Sequence, residues 1–170
     1  ITLWYVEAGK YKVLPIDGSM QPRLVTERPQ VSKPRDRFIY YPHGQVVPAF
    51  AAPHVYNRPH SITAEVEVPA DGGEGVLVAQ GGIAGGYIMY MQAGRLHYAH
   101  NYAGRDLLEV SSPESIAAGH RTLRYEFEPT GPPDIKVGKG TPGRAQLYVD
   151  GTLVANADFP HTTPLFFELE

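Results

Sequence analysis

Two pairs of carboxylates are the first residues in this chain whose types and spacing could do chemistry. Glu65 and Glu67 flank Val66, and Glu126 and Glu128 flank Phe127; on an extended strand, residues two apart project from the same face. Two carboxyls close together on a concave sheet face are what acid/base hydrolysis of a glycan needs. Alternating polar positions on a solvated sheet give the same spacing, and the cationic Arg124 beside them suits a solvent-facing ladder. A glycanase site is one reading of these pairs and a wet sheet face is the ordinary one.

His97 and His100 are three apart, a spacing that sends them to opposite faces of a strand, so they do not readily share a metal. The sequence has seven histidines but no His-Glu-x-x-His pattern and no Asp-x-Asp-x-Asp loop, so no metal site is expected in this chain. No catalytic residue is assigned. Tyr87, Tyr90, Tyr98, His100 and Tyr102 lie near Gly-rich turns, and aromatic rings beside polar groups make stacking platforms for sugars or aryl groups. Core or rim packing is the competing explanation, because tyrosine is an ordinary strand former and the chain has eleven. Arg95 and Arg105 have the chemistry to complement a sulfate, or they are surface charges. Asn57-Arg58-Pro59-His60 is dense in side-chain donors, so Asn57, Arg58 and His60 are candidates for contact with another domain or for a loop that caps the fold.

The elements that must position these residues are strands. Gln146-Leu147-Tyr148-Val149-Asp150-Gly151-Thr152-Leu153-Val154-Ala155 reads as a hairpin closed by Asp-Gly, which tolerates the positive φ that a tight turn demands. Ser61 to Val68 alternates, with Ile62, Ala64, Val66 and Val68 on one side and Ser61, Thr63, Glu65 and Glu67 on the other, as in a half-buried antiparallel strand. Further strands are expected at Gly75–Gln80, Tyr87–Met91, Arg95–His100, Leu107–Val110 and His120–Glu128, where Leu123, Tyr125 and Phe127 face the core. Phe38-Ile39-Tyr40-Tyr41 and Leu165-Phe166-Phe167-Glu168-Leu169 read as a first and a last strand, with edge pieces at Val46-Val47 and Ala49-Phe50-Ala51. The loop from Pro129 to Gly143, with four prolines and four glycines, is expected to be polar and mobile. Ten short strands punctuated by turns make an all-β, antiparallel two-sheet jelly-roll sandwich.

Ahead of it, Ile1, Trp4, Tyr5 and Ala8 fall at i, i+3, i+4 and i+7, the pattern of a short amphipathic helix that Gly9 weakens and Pro15 stops. So short a helix is marginal alone, and its Trp4/Tyr5 face needs a neighbour. The expected organisation is a helical segment over 1–16, a Pro-rich linker over 17–37 and the sandwich over 38–170.

The 170 residues carry a formal charge of -3 and a pI near 6.2, with Lys and Arg scattered, so nucleic acid is not an expected partner. No apolar run approaches the ~20 residues of a membrane-spanning helix. The chain has no cysteine, which removes disulfides, thiolate ligands and a cysteine nucleophile from these residues. No targeting segment is visible, but the chain reads as a piece of a longer protein, so a soluble domain is expected and its compartment stays open, the cytoplasm slightly favoured.

Trp4-Tyr5-Val6-Glu7-Ala8-Gly9-Lys10-Tyr11-Lys12-Val13-Leu14-Pro15-Ile16-Asp17 resembles the helix and exit segment that closes the catalytic part of large bacterial arylsulfatases. Phe38-Ile39-Tyr40-Tyr41-Pro42 and Val55-Tyr56-Asn57-Arg58-Pro59-His60 look like the opening of their C-terminal concanavalin-like β-sandwich. Glu74 to Gly82, Ala118 to Phe127 and the Leu-Tyr-Val-Asp-Gly hairpin extend the likeness in the same order. The resemblance implies that this chain is the non-catalytic C-terminal accessory domain of a sulfuric ester hydrolase, with Trp4 and Tyr5 docking to the catalytic domain. The formylglycine and the divalent metal, usually calcium, of such an enzyme belong to that other domain. The one local echo of its Cys/Ser-x-Pro-Ser-Arg signature, Ser32-Lys33-Pro34-Arg35-Asp36, puts Arg and Asp where Ser and Arg belong. Two alternatives stay open: a stand-alone carbohydrate-binding module using the tyrosine-bearing sheet, with a neutral sugar or sulfate ester as ligand, and a jelly-roll glycanase.

Overall fold

The computed structural model describes residues 1–11, 13, 35–42, 44, 46–48, 51–82, 85–165 and 167. Its contacts divide the chain into two units, Ile1–Pro42 and His43–Glu170, and each is described by itself. In the first, α1 spans Thr2–Lys10 and is followed by irregular backbone at Arg35–Tyr41. Leu3, Trp4, Tyr5 and Val6 are all exposed, and only Ala8 of the helix is buried.

Among the described residues the second unit has eight strands: β1 (His60–Val68), β2 (Gly75–Gly82), β3 (Gly85–Gln92), β4 (Arg95–Tyr102), β5 (Asp106–Ser111), β6 (Gly119–Pro129), β7 (Gly143–Val149) and β8 (Thr152–Phe159). They form two four-stranded sheets, β1-β6-β7-β8 (sheet 1) and β2-β3-β4-β5 (sheet 2), with every pairing antiparallel. The fold is the expected antiparallel two-sheet sandwich. Its tight turns use the expected residues: Asp150 and Gly151 take φ of 50° and 81°, and Ala93 and Gly94 take 50° and 71°, the left-handed pair that matches the twist of a hairpin.

The core is where the two inner faces meet. Leu123, Tyr125 and Phe127 of β6 and Ala145 and Leu147 of β7 face Met89 and Met91 of β3 and Leu96 and Tyr98 of β4 in one buried cluster. At its centre the rings of Tyr98 and Tyr125 stack across the sheets with centroids 3.5 Å apart and planes 9° from parallel. Close packing there depends on a missing side chain, because a β-carbon at Gly143 would strike the Phe127 ring.

Four expectations are corrected. Phe38–Tyr41 is irregular and not a strand, with Ile39, Tyr40 and Tyr41 exposed; an aromatic run favours a strand only when a pleated neighbour pairs with it. Val46 and Val47 are likewise irregular, and Ala51 starts a turn. Leu165 and Phe167 lie in bends beyond the last strand, and Phe167 is used as a buried plug. The segment between β6 and β7 is pinned: it makes an Asp134–Lys139 bridge around a 3-10 turn at Ile135–Val137, and Tyr102 donates to the Gly138 carbonyl at 2.9 Å. Residues 14–34 of the expected helix exit and linker, with Ser32-Lys33-Pro34, lie outside the described residues, as do Ala49-Phe50 and Phe166, Glu168 and Leu169 of the expected last strand.

Candidate functional site

A dense meeting of polar side chains lies where residues 162–164 and 167 meet Tyr56, Asn57, His100 and Thr141. β1 brings His60 there, paired with Phe127 of β6, and β4 brings His100, between Tyr87 of β3 and Leu108 of β5. Thr163 donates its backbone N–H to His100 Nε2 at 3.1 Å, and its hydroxyl lies 3.2 Å from the same nitrogen and 3.3 Å from the Asn101 carbonyl oxygen that accepts from it. A nitrogen that accepts an N–H carries no proton, so His100 is neutral with its proton on Nδ1. Burial, joined by the nearby His60 and His161, lowers its pKa to about 4. Its lone pair is engaged and its basicity is low, so it is a poor general base at neutral pH.

Asn57 is the other fastener. Its Nδ2 donates to the Pro164 carbonyl at 2.6 Å, and its Oδ1 accepts from the Thr141 backbone at 2.9 Å and from the Thr141 hydroxyl at 3.1 Å. One side chain thereby joins three segments remote in sequence, held by an Asn in the left-handed region at φ 53°, which Asn tolerates. Tyr56 completes the closure: its hydroxyl accepts the Phe167 N–H at 3.2 Å, and its ring lies 4.5 Å from that of Phe167. His60 and Asn57 thus belong to a capping structure, whereas Arg58 is exposed. The sequence reading missed Thr163 and the His161–Asp106 contact at 3.0 Å; Thr162-Thr163-Pro164 has no period, and its only signal is a cluster of turn residues.

The tyrosines divide unevenly. Tyr87, Tyr98, His100 and Tyr102 all point inward and are buried, so they pack the core and form no stacking surface; alternation along β3 and β4 separates the two sides without saying which side meets the other sheet. Tyr90 points outward, where it stacks on His97 at 4.9 Å with planes 16° apart. Burial, then the Glu109 charge, raises the Tyr90 pKa. His97 is fixed by Ser111 Oγ at 2.7 Å and the Gln92 carbonyl at 3.2 Å. His97 and His100 do lie on opposite faces of β4, as their spacing requires. Arg95 and Arg105 stand at opposite ends of β4, both exposed, and form no shared anion site.

The carboxylates lie on the outer face of sheet 1. Glu65 and Glu67 are exposed, Glu126 pairs with Arg124 at 2.7 Å, and Arg124 also sits 4.4 Å above the Tyr148 ring. Arg144, opposite Glu128 in the ladder, meets Asp158 at 3.4 Å. This is an open ladder of alternating charges. Among the described residues no three His, Cys, Asp or Glu side chains lie close enough to hold a metal ion, and no helix is long and apolar enough to cross a membrane. At the N-terminus Trp4 and Tyr5 make an edge-to-face pair with centroids 5.0 Å apart. Comparison with protein-family models, with curated proteins and with solved structures finds no match.

Proposed function

We propose that this chain is the non-catalytic C-terminal β-sandwich of an arylsulfatase-like sulfuric ester hydrolase, and that it acts by docking to the catalytic domain through α1. The observation that carries the reading is the aromatic helix: nine residues long, with Leu3, Trp4, Tyr5 and Val6 exposed. A helix of that length is not stable on its own in water, and so many adjacent apolar side chains mark a surface meant to be covered. The ordered likeness from Trp4 to the Asp150-Gly151 hairpin supplies the partner. His60 and His100, spent on the cap, and Glu65, Glu67, Glu126 and Glu128, spent on a solvated ladder, support the accessory role. Formylglycine and calcium chemistry belong, on this reading, to the domain that α1 meets. Replacing Trp4 and Tyr5 by alanine in the full-length enzyme tests it. The double variant is expected to lower the enzyme's unfolding temperature by several degrees and to alter its substrate profile; an enzyme unchanged in both would refute the docking role.

A second reading is favoured by one feature, the Tyr90–His97 stack on the outer face of sheet 2. A flat aromatic pair near Glu109 suits the apolar face and hydroxyls of a sugar ring. Calorimetric titration with sulfated and neutral sugars tests this: heat that Tyr90→Ala abolishes supports a carbohydrate-binding module, and flat heats across the panel end it.

A further inference from the structure

We infer that the cavity between His60 and the Tyr98–Tyr125 pair is a binding site for one ordered water, which accepts a phenol proton and donates to His60 Nε2. Three features converge on it. His60 Nδ1 lies 3.1 Å from the Arg58 carbonyl oxygen. A carbonyl only accepts, so Nδ1 carries the proton and Nε2 presents a lone pair. That nitrogen is buried without a hydrogen-bond partner among the described residues, a condition native proteins relieve with ordered water.

The matching donor lines the same space. Tyr98 and Tyr125 are part of its lining, their rings stacked with centroids 3.5 Å apart, and a phenol O–H is a donor. The other polar groups of the lining are engaged. His100 Nε2 accepts the Thr163 N–H, and the Thr162 hydroxyl donates to the Thr141 carbonyl at 2.9 Å. The unpartnered acceptor and the two phenols line one cavity; the His60 and Tyr125 rings themselves are in contact, with centroids 5.8 Å apart, so a bridging molecule reaches them at their polar edges.

Size selects the ligand. The cavity measures about 20 Å³. One water needs roughly 10–15 Å³ on this measure, whereas an organic ligand needs on the order of hundreds of Å³. The water ties the first residue of β1 to the phenols at the centre of the core, directly beneath Phe167.

High-resolution crystallography of the 170-residue chain, with nitrogen-15 spectra of its histidines, tests the assignment. The expected result is one density peak within hydrogen-bonding distance of both His60 Nε2 and a phenol oxygen, with His60 neutral and protonated at Nδ1. A dry cavity, or a His60 protonated at Nε2, would overturn it. In His60→Phe the peak is expected to vanish while β1 stays paired with β6. A water persisting at the same place would show that His60 is not its acceptor. Should that variant not fold, the wild-type imidazole spectrum still decides between the two protonation patterns.

Discussion

Beneath Thr163, His100 is 5 % exposed and its basic nitrogen is held by the Thr163 N–H at 3.1 Å; on the outer face of sheet 1, Glu126 is half-exposed and meets Arg124 at 2.7 Å. Both regions are rich in the side chains that enzymes use, and the difference between them is what water can replace. A partner lost in the buried end leaves a donor or acceptor with nothing to bind, at a cost of about 1–3 kcal/mol each. A partner lost on the ladder is replaced by solvent, and exposed ion pairs contribute about 0–1 kcal/mol. These polar groups thus close one end of the sandwich and wet one face of sheet 1.

The comparison breaks most easily at Asn57. Asn57→Ala removes the partner of the Pro164 carbonyl and of the buried Thr141 N–H together and places alanine at a positive φ, so a loss of about 3–4 kcal/mol is expected in urea unfolding. A loss under about 1 kcal/mol would mean that the cap does not carry stability.

Acid tests the same end without mutation. His100 is neutral in the folded state, with a pKa of about 4 against 6.5 for the free side chain, so the unfolded chain binds the proton first. Stability from this group is complete above about pH 6.5 and is lost as the pH falls toward 4, by on the order of 3 kcal/mol. Burial lowers the His60 pKa as well, in the same direction. Unfolding midpoints measured from pH 7 to 4 check this, and a His100→Gln variant should flatten the curve; an unaltered slope would remove His100 as its source.

The smallest effect is expected on the ladder. Glu126→Gln and Glu65→Gln should each change stability by no more than about 0.5 kcal/mol. A larger loss at Glu126 would mean that sheet 1's outer face is a packed network like the buried end.

Much of this was legible in residue patterns where one side of a strand differs sharply from the other. β1 alternates aliphatic with polar, β6 alternates Leu123, Tyr125 and Phe127 with charges, and Asp150-Gly151 announces its turn; those elements lie where alternation put them. β4 carries Leu96, Tyr98, His100 and Tyr102 on one side and Arg95, His97, Ala99 and Asn101 on the other, so both sides mix apolar and polar groups. Which side is buried follows from the second sheet, and that is why Tyr98 and His100 read equally as platform or core. The cap was the least legible part. Asn57, His100 and Thr163 are separated by long stretches of chain, and only the packing of the sheet that holds β1 against the sheet that holds β4 brings them together. Phe38–Tyr41 shows the opposite failure, a strong local preference with no partner strand to express it.

The proposal that this sandwich is the tail of an arylsulfatase-like enzyme is tested by sequencing the reading frame upstream of Ile1 in the source DNA. Cys/Ser-x-Pro-Ser-Arg with acidic and amide metal ligands is expected in the same frame. An upstream frame that encodes an unrelated protein would contradict it and leave the Tyr90–His97 face as the leading functional surface.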